Sequence, residues 1–426
     1  MLLPFDNQEL NTRIELNFRR LLDGDYYHID QVFSPVDYDW YGDKEGRALL
    51  AFCSHYKISG KKILCMDQMM AKIGDYLNED GFFGPNFLPK IHEQQLSGHS
   101  WLLRGLCEYH GIFGDAASLK MLKNITENLF LPLKGRFVTY PVERDGKNNG
   151  GVSGSQGQTI SDWILSTDIG CAFMSIDGLS HVYAITKDER IRELLDEMIG
   201  VYLEIDKVCL QAQTHCTLTA ARGMMRMYWE TSDADYLQGA ASILELYANG
   251  GGMTATYQNL NWWGRPETWT EPCAIVDSFM VAGELYKATK KEEYLRLAAR
   301  IYHNGLATAQ RGNGGAGTDS VVLYGVQDSL FLLMYEAYFC CTMRLAEGLW
   351  YIHENRELFR AEVDGTVVKQ GRIYADGDLL YGEVTGPAKA FAQKTVVIDG
   401  HELSPLVKYY RVPDEALESS KQKILF

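Results

Sequence analysis

The 426-residue chain lacks any dense run of Lys and Arg. It carries 41 Lys and Arg against 56 Asp and Glu, which gives a formal net charge of -15 at pH 7. Clustered basic side chains are what bind phosphate backbones, so this composition argues against a nucleic-acid partner. The chain also lacks an apolar stretch of about 18 residues, so no membrane-spanning helix is predicted.

The first residues likewise lack the charged segment and following apolar segment of a secretory signal. Nine cysteines, an odd number, occur in this chain. Without an export signal, they indicate reduced thiols that are buried, catalytic or metal-bound rather than a disulfide framework. These absences together predict a cytoplasmic protein.

A repeated pattern is present instead: an apolar helix that ends near a Tyr, a tight polar turn, and a second helix. The six copies, spaced by 45 to 74 residues, contain Tyr56, Tyr109, Tyr183, Tyr228, Tyr286 and Tyr351. An open solenoid, the alternative, normally repeats more uniformly than this. We therefore predict a mostly α fold, an (α/α)6 toroid or barrel of six helical hairpins over residues 1–358.

The pattern changes after Phe359. Apolar and polar residues alternate around the turn dipeptides Asp364-Gly365 and Asp399-Gly400, which is typical of β-strands. Residues 359–426 are predicted to be a short C-terminal β region packed on the barrel. These strands could pack on their own barrel or on a partner subunit, so a homo-oligomer is an alternative to a monomer.

The first chemical signal is Glu271-Pro272-Cys273. Proline is favoured at the first position of a helix, which predicts Glu271 at the N-cap and Cys273 in the first turn. Non-helical geometry at Glu271 would let both side chains point at one position. The N–H groups and dipole of a helix start also lower the pKa of a thiol.

The second signal is the vicinal pair Cys340-Cys341. Adjacent side chains of a regular helix diverge by about 100°, so both can bind one ion only at an irregular helix start. Three thiolates and one carboxylate would then form a tetrahedral zinc site. From spacing alone the alternative is ordinary core packing, because free Cys is among the most buried residue types.

With these motifs the chain resembles the zinc-dependent β-L-arabinofuranosidase family, glycoside hydrolase family 127 and its relatives. The family's E-T-C-A segment reads Glu271-Pro272-Cys273-Ala274 here, and its C-C-P-P-N segment begins Cys340-Cys341-Thr342-Met343. The resemblance implies an (α/α)6 barrel, and Cys340 as the nucleophile of a retaining glycoside hydrolysis. It also implies a zinc site formed by Glu271, Cys273, Cys340 and Cys341.

The resemblance covers most of residues 40–360, with further matches at Gly98-His99 and at His215. It implies substrate contacts for His99 and His215; the alternative for each is a hydrogen-bonded core histidine. Trp262 and Trp263, beside the first metal motif, are predicted to form a platform that stacks on a sugar. The alternative is that one of these indoles closes the barrel mouth.

The chain departs from the family where the catalytic acid is expected. Residues 250–266, which precede the first metal motif, contain no Asp or Glu. Glu267 is therefore the nearest candidate for the acid that protonates the leaving oxygen. Tyr257, Asp162 and Asp168 are alternatives. Thr342-Met343 replaces the family's Pro-Pro-Asn, which is a second departure.

The sequence thus predicts a glycosidase of small, arabinofuranoside-like glycosides that uses zinc and binds no nucleic acid or membrane. One alternative is a metal-independent α/α-toroid enzyme, a sugar epimerase or an uronide hydrolase. A second is a non-catalytic sugar-binding relative that has kept the zinc.

Overall fold

The structure is a computed structural model that describes residues 2, 4–34, 40–144, 154–254, 257–265, 268–319 and 333–362, together with the strands between residues 367 and 425. The chain forms two compact units. The first unit comprises residues 1–24, 248–261 and 265–426, and the second comprises residues 25–247 and 262–264. The division predicted from the sequence, into residues 1–358 and 359–426, stays a prediction.

The predicted mostly helical fold class is confirmed by the elements themselves. In the described part of the chain the α-helices are α1 (Asn7–Asp23), α2 (Ile29–Val32), α3 (Asp43–Ser59), α4 (Leu64–Tyr76), α5 (Glu93–Phe113), α6 (Ala116–Ile125), α7 (Ser175–Thr186), α8 (Glu189–Glu204), α9 (Thr214–Thr231), α10 (Ala234–Asn249), α11 (Pro272–Thr289), α12 (Glu292–Arg300), α13 (Ala307–Ala309) and α14 (Cys341–Glu354). None of these helices combines the length and the hydrophobicity that crossing a lipid bilayer requires.

Strands are short and fall into two groups. The second unit contains β1 (Ile91–His92), β2 (Gln156–Ile160) and β3 (Trp163–Ser166). In the first unit the described strands are β4 (Gly317–Asp319), β5 (Leu333–Glu336), β6 (Val367–Gln370), β7 (Ile373–Asp376), β8 (Leu379–Glu383), β9 (Lys389–Ala390), β10 (Val396–Ile398), β11 (His401–Leu403), β12 (Tyr410–Arg411) and β13 (Lys423–Leu425). Strands β6, β7, β8 and β13 form an antiparallel sheet in the order β13-β8-β7-β6, so the described residues of the C-terminal region have the predicted β character.

The tyrosines of the repeat mark helix ends for a local reason. The carbonyl oxygens of Tyr56, Tyr183, Tyr228 and Tyr286 each accept a hydrogen bond from the backbone N–H four residues later. In each case the donor residue has left-handed backbone geometry. This arrangement satisfies a carbonyl that the helix would otherwise leave without a partner. In these four copies the repeated sequence pattern is therefore a helix C-cap.

Five of the predicted hairpins have both of their helices: α3–α4, α5–α6, α7–α8, α9–α10 and α11–α12. The sixth differs from the prediction, because α14 is followed by a short 3-10 turn (Arg356–Phe359) rather than by a second helix. Helix α1, from the other end of the chain, packs on α14 instead. The side chain of Asn17 donates hydrogen bonds to the backbone oxygens of Gly314 and Thr342, each at 3.1 Å.

Helices α3, α5, α7 and α9 of the second unit are buried along most of their length. Two glycines permit close approach between neighbouring helices. A Cβ atom at Gly46 of α3 would lie 2.2 Å from the carbonyl carbon of Trp101 in α5. One at Gly223 of α9 would lie 2.6 Å from the carbonyl oxygen of Ile176 in α7. A larger residue at either position would force the helices apart.

Candidate metal centre

The start of α11 has the geometry that its sequence predicts. Glu271 is the N-cap residue with extended backbone angles (φ -125°, ψ 114°), and Pro272 is in the first turn. The backbone N–H of Glu271 donates a 3.0 Å hydrogen bond to Oδ1 of Asn259. Because Glu271 is outside the helical geometry and Cys273 is inside it, their side chains can converge. The predicted N-cap position of Glu271 and first-turn position of Cys273 are confirmed.

The start of α14 is irregular, as binding of one ion by both Cys340 and Cys341 requires. Cys340 is the N-cap residue with non-helical angles (φ -145°, ψ -58°), and Cys341 is the first helical residue. A turn fixes this start, since the N–H of Thr342 donates to the backbone oxygen of Ala337 at 3.1 Å. The irregular backbone at Cys340 removes the divergence that a regular helix imposes on adjacent side chains.

The two helix starts bring their four ligand atoms together. One carboxylate oxygen of Glu271 and the Sγ atoms of Cys273, Cys340 and Cys341 all lie within 4.8 Å of one another. The Sγ atoms of Cys273 and Cys341 are 3.4 Å apart, as are those of Cys340 and Cys341. Sulfur ligands at about 2.3 Å from a tetrahedral zinc ion lie about 3.8 Å from each other. The donor set and its size therefore fit zinc.

Burial sets the protonation of these thiols. Cys273 and Cys341 are fully buried, and Cys340 is 8% exposed. Burial is the main cause that raises the pKa values of the Cys273 and Cys341 thiols well above the ordinary value. Without a cation the cluster is therefore a set of neutral thiols, and a metal would bind as these thiols lose their protons.

A network of polar contacts supports the start of α14. The hydroxyl of Thr342 donates to Oε1 of Glu336 at 3.0 Å and accepts the N–H of Ala316 at 3.0 Å. Arg20 of α1 forms an ion pair with Glu336 at 2.9 Å. Burial alone would raise the pKa of Glu336, but the hydrogen bonds and charge of Arg20, with Asn313 and Thr342, hold it below the usual value. Glu336 is thus ionised and does not suit the role of a proton donor.

A second buried cluster lies further along α11 and α14. Arg344 forms ion pairs with Asp277 and Glu347. All three side chains are at most 2% exposed. Asp277 is one helical turn after Cys273, and Arg344 is one turn after Cys341, so this cluster lies on the same helices as the thiols.

Both predicted histidines are buried in the second unit. The Nδ1–H group of His99 donates to the backbone oxygen of Gln95 at 2.8 Å, and its Nε2 accepts the N–H of Phe83 at 2.9 Å. Burial lowers the pKa of His99 to about 4, so the ring is neutral. The ring of His215 stacks on Trp101, with centroids 5.8 Å apart. These contacts match the alternative of hydrogen-bonded or packed core histidines, and the substrate contacts implied by the resemblance stay predictions.

The tryptophan pair corrects the predicted stacking platform. Trp262 and Trp263 are fully buried in the structure. The indole N–H of Trp262 donates to the backbone oxygen of Thr167 at 3.3 Å, and that of Trp263 donates to the hydroxyl of Thr217 at 3.2 Å. Their rings are core groups of the second unit, because adjacent β-bridge and backbone contacts hold this short segment inside it.

The predicted acid Glu267 lies outside the described residues. Of the alternatives, Tyr257 has a left-handed backbone (φ 60°) in the first unit. Asp162 is paired with Arg136 at 2.8 Å, and buried Asp168 accepts the N–H of Gly154 at 3.1 Å. None of these contacts selects a proton donor.

Sequence reasoning missed two features of the first unit. Asn259 orients the backbone of Glu271, and no local pattern links these residues, which are 12 positions apart. Tyr338 and Phe339, directly before the thiol pair, are 44% and 38% exposed. Their position in the sequence was a usable signal, because two aromatic residues flank a predicted ligand.

No protein-family model and no curated protein sequence matches this chain. Solved structures do match its fold. A family 127 β-L-arabinofuranosidase from Geobacillus stearothermophilus T6 has a TM-score of 0.54 at 11% identity, covering 100% of this chain and 80% of that one. A heparin-specific unsaturated glucuronyl hydrolase has a TM-score of 0.53 at 11% identity, covering 83% of this chain and 98% of that one.

A sugar epimerase from a ruminal bacterium matches with a TM-score of 0.51 at 13% identity, covering 80% of this chain and 98% of that one. Likeness at such low identity shows the fold and leaves the activity open. The chain therefore has the α/α-toroid fold that glycoside hydrolases of this kind share with sugar epimerases.

Proposed function

We propose that the chain is a carbohydrate-active enzyme, specifically a retaining glycoside hydrolase with a zinc centre at Glu271, Cys273, Cys340 and Cys341. The observation that carries the proposal is the convergence of these four ligand atoms within 4.8 Å. Fold likeness to a family 127 β-L-arabinofuranosidase supports the same reading, as do the sequence motifs that contain the four residues.

The zinc ion would hold the bound sulfurs as thiolates at neutral pH, which supplies a nucleophile without a separate base. The four ligands come from two helix starts of one unit, so the site needs no residue from elsewhere to complete a tetrahedral set.

Cys340 is proposed as the nucleophile. It is 8% exposed, whereas Cys273 and Cys341 are fully buried, so its sulfur is the most accessible of the three. In the first step this sulfur bonds to the anomeric carbon while the glycosidic C–O bond breaks and an acid protonates the leaving oxygen. Water then displaces the sulfur, and the sugar leaves with its configuration retained.

Glu267 is proposed as that acid because it is the carboxylate nearest in sequence to the metal motif, four residues before Glu271. A Glu267→Gln variant should hydrolyse alkyl arabinofuranosides at least about a hundredfold more slowly. Activity on a dinitrophenyl glycoside should fall much less, since that leaving group departs without a proton. Equal losses on both substrates would rule out the acid role, and Tyr257 and Asp168 would be tested next in the same way.

The second candidate function is a metal-independent sugar epimerase or uronide hydrolase. The structural likeness to an epimerase and to an unsaturated glucuronyl hydrolase favours it. A third reading, a sugar-binding protein without turnover, would follow from the absence of a functional acid. The metal content distinguishes the metal-independent enzyme from the zinc glycosidase. Turnover of a glycoside distinguishes the sugar-binding protein from both enzymes.

The test is elemental analysis of protein purified under reducing conditions without added metal. We expect about one zinc per chain in the wild type and in a Cys216→Ser control from the second unit. We expect its loss in Cys273→Ser, with loss of hydrolysis of methyl and aryl β-L-arabinofuranosides. No zinc in the wild type, even after anaerobic reconstitution, would overturn the proposal in favour of the metal-independent enzymes.

A further inference from the structure

The thiol pair, Cys340 and Cys341, lies in a turn whose two ends are held together. The backbone oxygen of Ala337 accepts the N–H of Thr342 at 3.1 Å, which closes the turn around the pair. Both ends also bond to Ala316. Its backbone oxygen accepts the N–H of Ala337 at 2.9 Å, and its N–H donates to the hydroxyl of Thr342 at 3.0 Å. The backbone that carries the two sulfurs is therefore fixed at the base of this turn.

Helix α1 binds the base of the turn through two polar side chains. Asn17, which is fully buried, donates to the backbone oxygens of Gly314 and Thr342, each at 3.1 Å. Arg20 donates to both carboxylate oxygens of Glu336, at 2.9 and 3.0 Å. Oε1 of Glu336 also accepts the hydroxyl of Thr342 at 3.0 Å. Asn17 and Arg20 are three residues apart, so they lie on one face of the helix.

A third side chain on this face of α1 makes contacts outside the turn. Arg13 is 1% exposed, and its guanidinium donates to the backbone oxygen of Ala307 at 3.2 Å and to Oε1 of Gln310 at 3.0 Å. These bonds contribute to the docking of α1 on the first unit without touching residues 337–342. The bonds of Arg20, in contrast, lead to the turn itself. A bidentate guanidinium–carboxylate pair fixes direction as well as distance, so it holds Glu336 where the hydroxyl of Thr342 can donate.

We propose that α1 positions the metal ligands: Arg20, acting through Glu336 and Thr342, fixes the irregular backbone of the thiol pair so that both sulfurs can bind one ion. The inference rests on the proposed function, because it concerns the ligands of that zinc centre. Arg20, Glu336 and Thr342 are positioning residues, since they act through the backbone of the pair. Removing a group that orients metal ligands typically weakens metal binding about 10- to 100-fold.

The test compares the full-length wild type with variants of this network. Arg20→Met removes the ion pair at a side chain that is 26% exposed, so the change is compatible with the fold. Thr342→Val removes the hydroxyl and keeps the shape of the side chain, and Thr342→Ser keeps the hydroxyl. Arg13→Met is the control, because it removes contacts of α1 that lie outside the turn. A double variant combines Arg20→Met with Thr342→Val.

Three measurements are made on each variant. Competition with a chelator gives the dissociation constant of zinc. The absorption bands of the cobalt-substituted protein report the geometry of the sulfur ligands, which a loss of stability alone does not change. Urea unfolding gives the free energy of unfolding.

We expect Arg20→Met and Thr342→Val each to weaken zinc binding at least about tenfold and to shift the cobalt bands. Thr342→Ser and Arg13→Met should stay within about twofold of the wild-type zinc affinity, although Arg13→Met should lower the free energy of unfolding. Because Arg20 acts through Thr342, the double variant should bind zinc within about twofold of the weaker single variant.

Unchanged zinc affinity in Arg20→Met and Thr342→Val would overturn the inference while leaving the zinc centre intact. Equal losses in these variants and in Arg13→Met would also overturn it, because the metal would then respond to the docking of α1 in general. Fully additive losses in the double variant would show that Arg20 does not act through Thr342, which contradicts the proposal. A wild-type protein that binds no zinc would instead overturn the proposed function and this inference with it.

Discussion

The two units bury ionic clusters of opposite formal charge. In the first unit Arg344 is paired with two carboxylates, Asp277 and Glu347. In the second unit one carboxylate is surrounded by three guanidinium groups. Asp177 pairs there with Arg104, Arg222 and Arg226. Counting only these side chains, the clusters carry net charges of -1 and +2.

This difference indicates which unit can accept a cation. In the first unit the excess negative charge lies one helical turn from Cys273, and Glu271 adds a further carboxylate, so a divalent ion would be stabilised there. In the second unit burial would raise the pKa of Asp177, but the three arginines hold it far below its usual value. That cluster opposes a cation and stabilises helix packing instead. Cys171 and Cys216 of the same unit are buried free thiols.

The largest expected effect tests this contrast directly with matched thiols. Cys273→Ser should weaken zinc binding at least about a thousandfold, because structural zinc sites share binding free energies of about 10–16 kcal/mol among four ligands. Cys216→Ser, an equally buried change in the second unit, should leave zinc affinity unchanged. Competition with a chromogenic chelator measures both. Equal losses in the two variants would show that the metal responds to general destabilisation rather than to a lost ligand.

The next effect concerns the cluster of the second unit. Asp177→Asn leaves the buried guanidinium groups of Arg104 and Arg222, and the partly buried one of Arg226, without their carboxylate, and should lower the free energy of unfolding by about 3–5 kcal/mol. Because the folded-state pKa of Asp177 is depressed, its contribution is present above the unfolded-state pKa and is lost as the pH falls through the folded-state value. Urea unfolding at pH 7 measures the loss. A change in the free energy of unfolding below about 1 kcal/mol would show that this cluster does not stabilise the fold. A loss of zinc would contradict the prediction that this cluster has no effect on metal binding.

A third prediction concerns Glu45, a buried carboxylate of the second unit. Burial raises the pKa of Glu45, in the first turn of α3, to about 7. Below the unfolded-state pKa the group is protonated in both states and costs nothing. As the pH rises from the unfolded-state pKa to about 7, the unfolded state ionises while the folded state stays protonated, and the free energy of unfolding falls by up to about 3 kcal/mol.

Glu45→Gln should therefore stabilise the protein at pH 8 relative to wild type and have little effect at pH 4.5. Thermal unfolding across this range measures the difference. Glu79→Gln, at an exposed position, serves as the control and should show no such trend. A Glu45→Gln effect that does not vary with pH would exclude the raised pKa as its cause.

The smallest expected effect sharpens the description of the first unit. Asn259→Ala removes the side chain that accepts the N–H of Glu271, and should weaken zinc binding about tenfold, in the range of groups that orient metal ligands. Asn304, whose side chain donates to the backbone oxygen of Arg300 at 3.0 Å, is a buried control in the same unit. Asn304→Ala should reduce stability without changing zinc affinity. If both variants lower the zinc affinity equally, Asn259 affects the metal site only through the stability of the fold.

Local chemistry made part of the site predictable. Pro272 selects the first turn of a helix, so the N-cap position of Glu271 and the position of Cys273 follow from three adjacent residues. The ends of the hairpin helices are equally local, since each depends on a carbonyl and a cap residue four positions later. Such features need no knowledge of the rest of the chain.

Other predictions failed because they depended on contacts between distant segments. The pattern at Tyr351 suggested a sixth hairpin, yet α14 packs on α1, whose residues precede it by more than 300 positions. Trp262 and Trp263 looked like loop residues beside the metal motif, but they are buried through contacts with Thr167 and Thr217. A short sequence pattern does not indicate which distant residues a segment will contact in the folded chain.

The sequence by itself determined the helical repeat, the two helix starts and the candidate metal ligands, because propensity, capping and donor chemistry act over a few residues. Only the tertiary structure decided that Cys273 and Cys341, 68 residues apart, have sulfurs 3.4 Å from each other. It also decided which aromatic residues reach solvent. The physical reason is that burial and convergence are properties of packed helices, which arise from the whole core rather than from any one segment.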